Sequence, residues 1–173
     1  TVTGALIALS DSLVAADCDV DAANLRLLMN DRVLYTERAC LGSEAVIEQR
    51  KCIKCGKCFE QCRFAAIDFD AAAGTYRVNE LNCEGRGLCV EICPAKAISE
   101  KRAETGNLML SESARGRLVH AKLAPAAENS GKLVSMVRSL AFAIADQQQK
   151  EWLLVDGPPG TACPAIASVT GSD

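Results

Sequence analysis

Aromatic side chains are scarce in this sequence, at 4% of 173 residues, and histidine occurs once. No apolar run reaches the ~18 residues that a membrane-spanning helix needs. Basic residues do not exceed acidic ones, since 19 Lys and Arg stand against 22 Asp and Glu. A net charge of −3 leaves little to neutralise phosphates. We therefore expect neither a membrane span nor a nucleic-acid partner.

A secretion signal is also missing from these residues. The opening apolar stretch ALIALSDSLVAA has no basic segment before it. This favours a cytoplasmic protein. Apolar residues make up 49% of the chain, and they are mostly Ala, Leu, Val and Ile, which suits an α/β core.

Cysteine, by contrast, is abundant: the chain has ten, and seven of them lie between residues 52 and 93. Without a secretion signal, clustered thiols indicate metal ligands rather than disulfides. The region is a repeat with a 31-residue offset, and each copy is predicted as a strand, a Cys-bearing loop, a short helix and a strand. The recurring residues are Cys52, Gly56, Cys58, Glu60, Cys62, Ala66 and Ile67 in the first copy and Cys83, Gly87, Cys89, Glu91, Cys93, Ala97 and Ile98 in the second.

The first copy has the spacing Cys-x2-Cys-x2-Cys-x3-Cys, which is typical of bacterial-type ferredoxins. There, three closely spaced thiolates hold one cluster and the fourth cysteine points to the other. Zinc is the alternative, but four cysteines this close would crowd a single tetrahedral ion. The expected ligands are Cys52, Cys55, Cys58 and Cys93 for a [4Fe–4S] cluster I, and Cys83, Cys89 and Cys62 for cluster II.

The second copy departs from this spacing at Arg86, which stands where the first copy has Cys55. A guanidinium stays protonated and has no lone pair for a metal. Three interpretations remain open: a [3Fe–4S] cluster, a [4Fe–4S] cluster whose open iron takes water, hydroxide or an external thiol, and an error or recent mutation. Cys40 is a candidate substitute ligand, but we favour a small buried residue at this position.

The residues around the cysteine region follow an α/β pattern. Residues 3–9 have a helical composition, and the apolar runs LVAAD (13–17) and WLLVD (152–156) indicate buried strands. Between them, residues 107–123 alternate enough to predict a β-hairpin. Ser130 is predicted to cap a helix that ends at about Gln147.

Carboxylates follow both buried strands. Asp17 and Asp19 follow the first, and Asp156 precedes a Gly-Pro-Pro-Gly turn after the second. In open α/β sheets, ligands bind at the carboxyl ends of strands, where carboxylates suit Mg²⁺ and phosphate oxygens. For a single such Asp, a helix cap is the favoured interpretation. Two motifs together favour a nucleotide site.

The chain resembles the MinD-superfamily P-loop ATPases that carry an inserted ferredoxin domain. The resemblance rests on four stretches in the family's order: LVAADCDVDAANL, the ferredoxin insert, HAKLAPAAENSGKLV and LLVDGPPGTACPAIASVTG. That family is related to ParA, Mrp and the nitrogenase iron protein. The resemblance implies Mg-ATP as a ligand, with Asp17 and Asp19 near Mg²⁺ and the attacking water. It also implies that Asp156 is the Walker B carboxylate and that Gly157 and Gly160 belong to switch II.

The same resemblance implies a fold and a domain order. Residues 1–45 and 101–173 would form part of a P-loop-type parallel α/β sheet, which an α+β ferredoxin-like domain at residues 46–100 interrupts. The full-length protein is expected to be a homodimer. The Gly-x4-Gly-Lys-[Ser/Thr] phosphate loop does not occur in these residues. We expect that loop to end just before Thr1 in a longer protein, so the 173-residue chain should not hydrolyse ATP.

Three functions remain open from the sequence: an ATP-gated electron carrier, an Fe–S assembly or delivery ATPase of the Mrp type, and an electron-transfer ferredoxin on a non-catalytic scaffold. The redox partner is not identified. Three further residues have both a functional and a structural interpretation. We favour a structural His120 over a proton shuttle, a solvated Lys132 over a phosphate ligand, and a buried thiol over a metal ligand at Cys163.

Overall fold

The computed structural model describes residues 2–10, 13–125, 127 and 130–172. The chain divides into two compact units. The first comprises Thr1–Ala39, Thr105–Ala124 and Asn129–Asp173, and the second comprises Cys40–Glu104 and Pro125–Glu128. The second unit thus interrupts the first along the chain, and it contains all seven clustered cysteines.

The described residues form helices and strands in the following order along the chain. They are α1 (Val2–Leu9), β1 (Leu13–Asp17), α2 (Leu25–Met29), β2 (Arg32–Ala39), β3 (Gly42–Ile47), α3 (Lys57–Gln61), β4 (Ile67–Asp70), β5 (Thr75–Val78), α4 (Leu88–Glu91), β6 (Ile98–Ala103), β7 (Gly106–Ser113), β8 (Gly116–Leu123), α5 (Ser130–Gln147), β9 (Leu153–Asp156) and α6 (Cys163–Val169). No helix within these described residues is long and apolar enough to cross a membrane.

The first unit contains a five-stranded sheet in the order β2-β7-β8-β1-β9. Strand β1 pairs in parallel with both β8 and β9. Strand β7 is antiparallel to β2 on one side. On its other side it is antiparallel to β8, with which it forms the predicted hairpin. The expected parallel sheet is therefore limited to β8, β1 and β9, and the sheet as a whole is mixed.

The core of the first unit forms around β1. All five residues of this strand are buried, as an apolar strand covered on both faces should be. Leu13 packs with Leu25 and Leu118 in a cluster that also contains Ile7 and Met29. The central position of β1 fixes where its carboxyl end, and therefore Asp17, lies in the sheet.

Helix α5 confirms the helix predicted from the apolar stripe after residue 130. Its stripe buries Val134, Val137, Ala141 and Ile144. The helix is described over Ser130–Gln147, so the predicted cap is its first described residue. Strand β2, at the sheet edge, was not predicted, because residues 32–38 are exposed on both faces and show no alternation of apolar and polar residues.

The second unit confirms the predicted repeat of strand, loop, short helix and strand. Strands β3 and β6 pair in antiparallel register from Gly42 opposite Ala103 to Ile47 opposite Ile98. Strands β4 and β5 form a second antiparallel pair. The two short helices, α3 and α4, each follow a cysteine-bearing loop.

Candidate metal centre

The two cysteine loops have the same backbone conformation at corresponding positions. Left-handed φ angles occur at Lys54 and Gly85, with values of 59° and 63°, and at Gly56 and Gly87, with values of 78° and 75°. A Cβ atom on Gly85 would lie 2.1 Å from the carbonyl oxygen of Ser43, so this position admits only glycine. The repeat in the sequence is therefore also a repeat in the backbone that presents the cysteines.

The first loop lines a small cavity together with a cysteine from the second copy. This cavity, of about 20 Å³, is lined by Cys52, Cys55, Cys58 and Cys93 among others. Burial raises the pKa of the Cys58 thiol, and repulsion from Cys52 and Cys55 raises it further. The four residues expected to bind cluster I thus lie around one space.

The second loop lines a larger cavity, of about 390 Å³, together with a cysteine from the first copy. Cys62, Cys83 and Cys89 line it, as do Arg86 and Cys58, which lines both cavities. Burial raises the pKa of the Cys89 thiol, and repulsion from Cys83 and from Cys62 adds to this. The three residues expected to bind cluster II therefore also lie together.

Backbone amides donate hydrogen bonds to three of the cysteine sulfurs. The amide of Ala66 donates to Cys62 Sγ at 3.4 Å, and the amide of Ala97 donates to Cys93 Sγ at 3.3 Å. A third amide, from Ala45, donates to Cys83 Sγ at 3.4 Å. Such hydrogen bonds stabilise a thiolate and help to set the potential of a cluster bound to it.

The donor set fits an iron–sulfur cluster better than a single ion. No three His, Cys, Asp or Glu side chains within the described residues converge as ligands of one metal ion would. A zinc ion requires four donors at about 2.0–2.3 Å from one point. The thiolates of a cluster bind different iron atoms, so they surround a space instead, as the cysteines do around both cavities.

Arg86 lies at the rim of the larger cavity and is held there by its neighbours. Its guanidinium donates two hydrogen bonds to Glu84 Oε2, at 3.2 Å from Nε and 3.0 Å from Nη2. The guanidinium carbon also lies 5.8 Å from the ring centroid of Phe64. The side chain is 69% exposed. Neither Glu84 nor Phe64 could be assigned this role from the cysteine spacing.

In the first unit, two of the predicted carboxylates end neighbouring strands. Asp17 and Asp156 are directly paired across β1 and β9. Asp17 Oδ2 accepts a hydrogen bond from the amide of Leu25 at 3.0 Å, and its Oδ1 accepts one from Asp19 at 3.2 Å. Asp156 Oδ1 accepts a hydrogen bond from the Thr3 hydroxyl at 2.5 Å.

Asp17 resists ionisation. Burial raises its pKa from 3.8 to about 6, hydrogen bonds from Leu25 and Asp19 act in the opposite direction, and the charges of Asp156 and Asp19 raise the pKa further. Asp19 itself lies in a turn, where its Oδ1 accepts a hydrogen bond from the amide of Ala22 at 3.3 Å. A carboxylate pair of this kind attracts a cation, because a cation would relieve the repulsion.

The glycines predicted for the switch segment follow Asp156. A Cβ on Gly157 would lie 2.6 Å from Ser168 Oγ, so this glycine permits close packing against α6. Gly160 has a φ of 96°, which favours glycine, and no atom lies within 4 Å of the place its Cβ would occupy. Close packing therefore explains the glycine at residue 157, and the left-handed backbone explains the glycine at residue 160.

The remaining candidates have structural surroundings. His120 is 1% exposed, and its Nε2 lies 2.9 Å from Ser111 Oγ. Burial lowers the pKa of His120. Lys132 is exposed on α5, and Cys40 lines neither cysteine cavity. Cys163 is exposed rather than buried, so the prediction of a buried thiol was wrong at this position.

Comparison with known proteins defines the class of the second unit. A family model described as a 4Fe-4S dicluster domain matches residues 45–99. Together with the grouped cysteines, this match shows that the chain carries a ferredoxin-type iron–sulfur domain, whose function is electron transfer.

Individual relatives cover different parts of the chain. The chain is 32% identical over 169 residues to the uncharacterized protein MJ0578 of Methanocaldococcus jannaschii. This match covers 94% of the chain and 54% of that protein. The cysteine region is 38% identical over 60 residues to a ferredoxin of Pyrobaculum islandicum, covering 35% of this chain and 55% of the ferredoxin. It is also 32% identical over 59 residues to pyruvate synthase subunit PorD of Methanocaldococcus jannaschii, covering 34% and 67%. The chain thus spans about half the length of the first two relatives.

The raised pKa of Asp17 predicts a stability that depends on pH. The folded state binds this proton more tightly than the unfolded state, so the stabilisation is fully present below about pH 4 and is lost as pH rises through about 6. From about pH 4 to about pH 7 the free energy of unfolding should fall by on the order of 1–3 kcal/mol through this group. Asp17→Asn should remove that fall. Urea unfolding followed by the fluorescence of Trp152, the single tryptophan, measures it.

Asp19→Asn is the matched control, because it removes a neighbouring carboxylate that forms part of a turn. This variant should keep most of the pH dependence. An Asp17→Asn variant whose stability falls with pH as steeply as the wild type would show that Asp17 is not the group responsible.

Proposed function

We propose that the ferredoxin-type unit holds two clusters that exchange ligands between its two copies. Cys52, Cys55, Cys58 and Cys93 bind a [4Fe–4S] cluster I, and cluster II takes three thiolates. The observation that carries this proposal is the grouping of the cysteines around two cavities, four at the first, and three at the second besides Cys58, which lines both. The three thiolates at the second cavity are Cys62, Cys83 and Cys89.

Cluster II is proposed to be a [3Fe–4S] centre, because Arg86 offers no fourth ligand. The loss of one thiolate and the nearby guanidinium both favour the reduced state electrostatically. Cluster II then has a higher potential than cluster I and accepts electrons from it. The unit therefore works as a two-step carrier in which an electron enters at cluster I and is held at cluster II.

The frame around this unit is proposed to be a MinD-like nucleotide-binding domain in a longer protein. Two observations support this proposal: Asp17 and Asp156 are paired at the ends of neighbouring strands, and Asp156 begins an Asp-Gly-Pro-Pro-Gly turn. In this proposal Asp17, Asp19 and Asp156 serve Mg-ATP, and ATP binding gates electron transfer. By the resemblance the longer protein is a homodimer, and free clustered thiols suit a cytoplasmic location.

The similarity to PorD supports a partner oxidoreductase, since that protein is named as a subunit of pyruvate synthase. An Fe–S delivery role of the Mrp type is less well supported, because ligands drawn from two copies of a folded repeat favour clusters that stay bound. We therefore place electron transfer first among the candidate functions.

The ligand count at cluster II predicts the iron content. Anaerobically purified protein should contain about seven irons, and the oxidised sample should give the paramagnetic signal of a [3Fe–4S] centre. Arg86→Cys should restore the eighth iron and remove that signal, because it supplies the missing thiolate. Iron analysis with electron paramagnetic resonance measures both.

Arg63→Cys is a suitable control, since Arg63 also lines the larger cavity but does not occupy a ligand position of the motif. It should leave the iron content at about seven. Eight irons in the unmodified protein would mean that an external ligand caps the open corner. Four irons would mean that cluster II is not built, and the two-step carrier would be wrong.

The gating proposal predicts that Mg-ATP shifts the cluster I potential in the longer protein, and that Asp156→Asn abolishes the shift. Asp70→Asn, in the ferredoxin-type unit, is the control and should leave the shift intact. A redox titration with and without Mg-ATP is the measurement. An identical potential in both titrations, despite bound nucleotide, would favour the non-catalytic scaffold.

A further inference from the structure

The two copies of the repeat share a backbone but differ in charge. Residues 50–60 contain four basic residues and one acidic residue, whereas residues 81–91 contain one basic residue and two acidic ones. The difference arises because lysines in the first copy are replaced by uncharged residues in the second. The pairs are Lys51 and Asn82, Lys54 and Gly85, and Lys57 and Leu88.

The lysines of the first copy surround its most exposed ligand. We call residues 51–57 the lysine loop. Its three lysines are exposed, and so is Cys55 between Lys54 and Lys57. Both of these lysines line the cavity of cluster I. The loop therefore places positive charge around the thiolate that lies nearest the surface.

Two of these lysines are available to a partner. Lys51 Nζ pairs with Glu48 Oε2 at 2.6 Å, but Lys54 and Lys57 pair with no carboxylate within the described part of the chain. Ile53, at the middle of the loop, is 64% exposed. An apolar centre inside a charged rim is the usual composition of a protein docking site.

The second copy offers no such surface. Its one basic side chain, Arg86, is already paired with Glu84 at 3.0 Å. The corresponding loop therefore presents no unpaired positive charge. A partner that recognises positive charge would distinguish the two clusters and approach cluster I.

We propose that the lysine loop is the docking site for an acidic redox protein that exchanges electrons with cluster I through the exposed Cys55 side. This proposal rests on the proposed ligation of cluster I. The partner carries carboxylates that meet Lys54 and Lys57, and an apolar contact for Ile53. Complementary charge of this kind steers encounter and raises association rates by about 10–10³-fold at low salt.

The net charge of the chain makes this proposal sharply testable. The whole chain carries −3, so its overall charge repels an acidic partner, and only a local positive surface attracts one. Attraction gives an electron-transfer rate that falls as salt is added, and repulsion gives a rate that rises. The sign of the salt dependence therefore decides between them.

The experiment uses the full chain with its clusters, reduced with dithionite and then desalted, and a flavodoxin of low isoelectric point as the probe. One electron leaves the reduced chain, and the flavin of the probe takes up that electron with a proton from water. Stopped-flow rates are recorded from about 0.01 M to about 1 M salt. The rate should fall at least about tenfold over this range.

The second copy supplies the test variant. Lys54→Gly with Lys57→Leu reproduces Gly85 and Leu88, lowers the charge by two and relieves the left-handed φ at residue 54. Arg102→Glu, on exposed β6, lowers the charge by the same amount away from the loop and is the matched control. In the double variant the electron-transfer rate should no longer fall as salt is added, whereas in Arg102→Glu it should fall as in the unmodified chain.

Zero-length carbodiimide cross-linking locates the contact independently of the rate. Amide bonds to the probe should form at Lys54 and Lys57, and they should be found by mass spectrometry. Links confined to Lys96, Lys101 or Lys122, or a rate that rises with salt in the unmodified chain, would overturn the proposal. A third result would also overturn the proposal. If the chain binds a single-stranded DNA oligonucleotide at about 0.15 M salt and the double variant does not, the loop serves nucleic acid instead.

Iron content and the reduced [4Fe–4S] signal are recorded on every sample first. A sample without that signal contradicts the proposed ligation of cluster I. A sample with intact clusters but the wrong salt dependence contradicts only the docking site, so the two failures are distinguishable.

Discussion

The bond between thiolate and iron is the constraint on which the ferredoxin-type unit depends. Its buried apolar residues are few and small: Ala45, Ala66, Ile67, Ala97 and Ile98. A core of this size cannot offset the conformational entropy of more than sixty ordered residues by burial alone. Small units of this kind draw their folding free energy from the metal they bind. The short helices and two-stranded ladders are therefore best understood as a support for the cluster ligands.

This dependence explains which positions of the repeat agree and which differ. Positions that set the backbone of the ligand loops agree, as the equal φ angles of Gly56 and Gly87 show. At the other left-handed position the φ angle is shared but the residue is not, since Lys54 corresponds to Gly85, where Ser43 leaves no room for a side chain. The exception is Arg86, which stands where the first copy has Cys55. The two loops thus share a backbone conformation but differ in the number of cysteines and in surface charge.

Spacing along the chain predicted the parts of this molecule that local patterns determine. The cysteine spacing predicted which cysteines gather around the two cavities, and the apolar runs of β1 and α5 predicted their burial. The edge strand β2 and the mixed sheet were not, because strand pairing depends on partners distant in sequence. The contacts of Arg86 with Glu84 and Phe64 were also unpredicted, since no sequence pattern fixes a surface arginine. The pairing of Asp17 with Asp156 followed from two strands that end in Asp, once they were neighbours in the sheet.

The exchange of ligands between the copies is the central claim, and single removals of the last cysteine of each motif test it most directly. If the ligands are exchanged, Cys93→Ala should abolish the reduced [4Fe–4S] signal of cluster I, and Cys62→Ala should leave that signal intact. Electron paramagnetic resonance on the two dithionite-reduced variants gives the answer. The opposite result, with the signal lost in Cys62→Ala and kept in Cys93→Ala, would mean that each copy binds its own cluster, and would contradict the account.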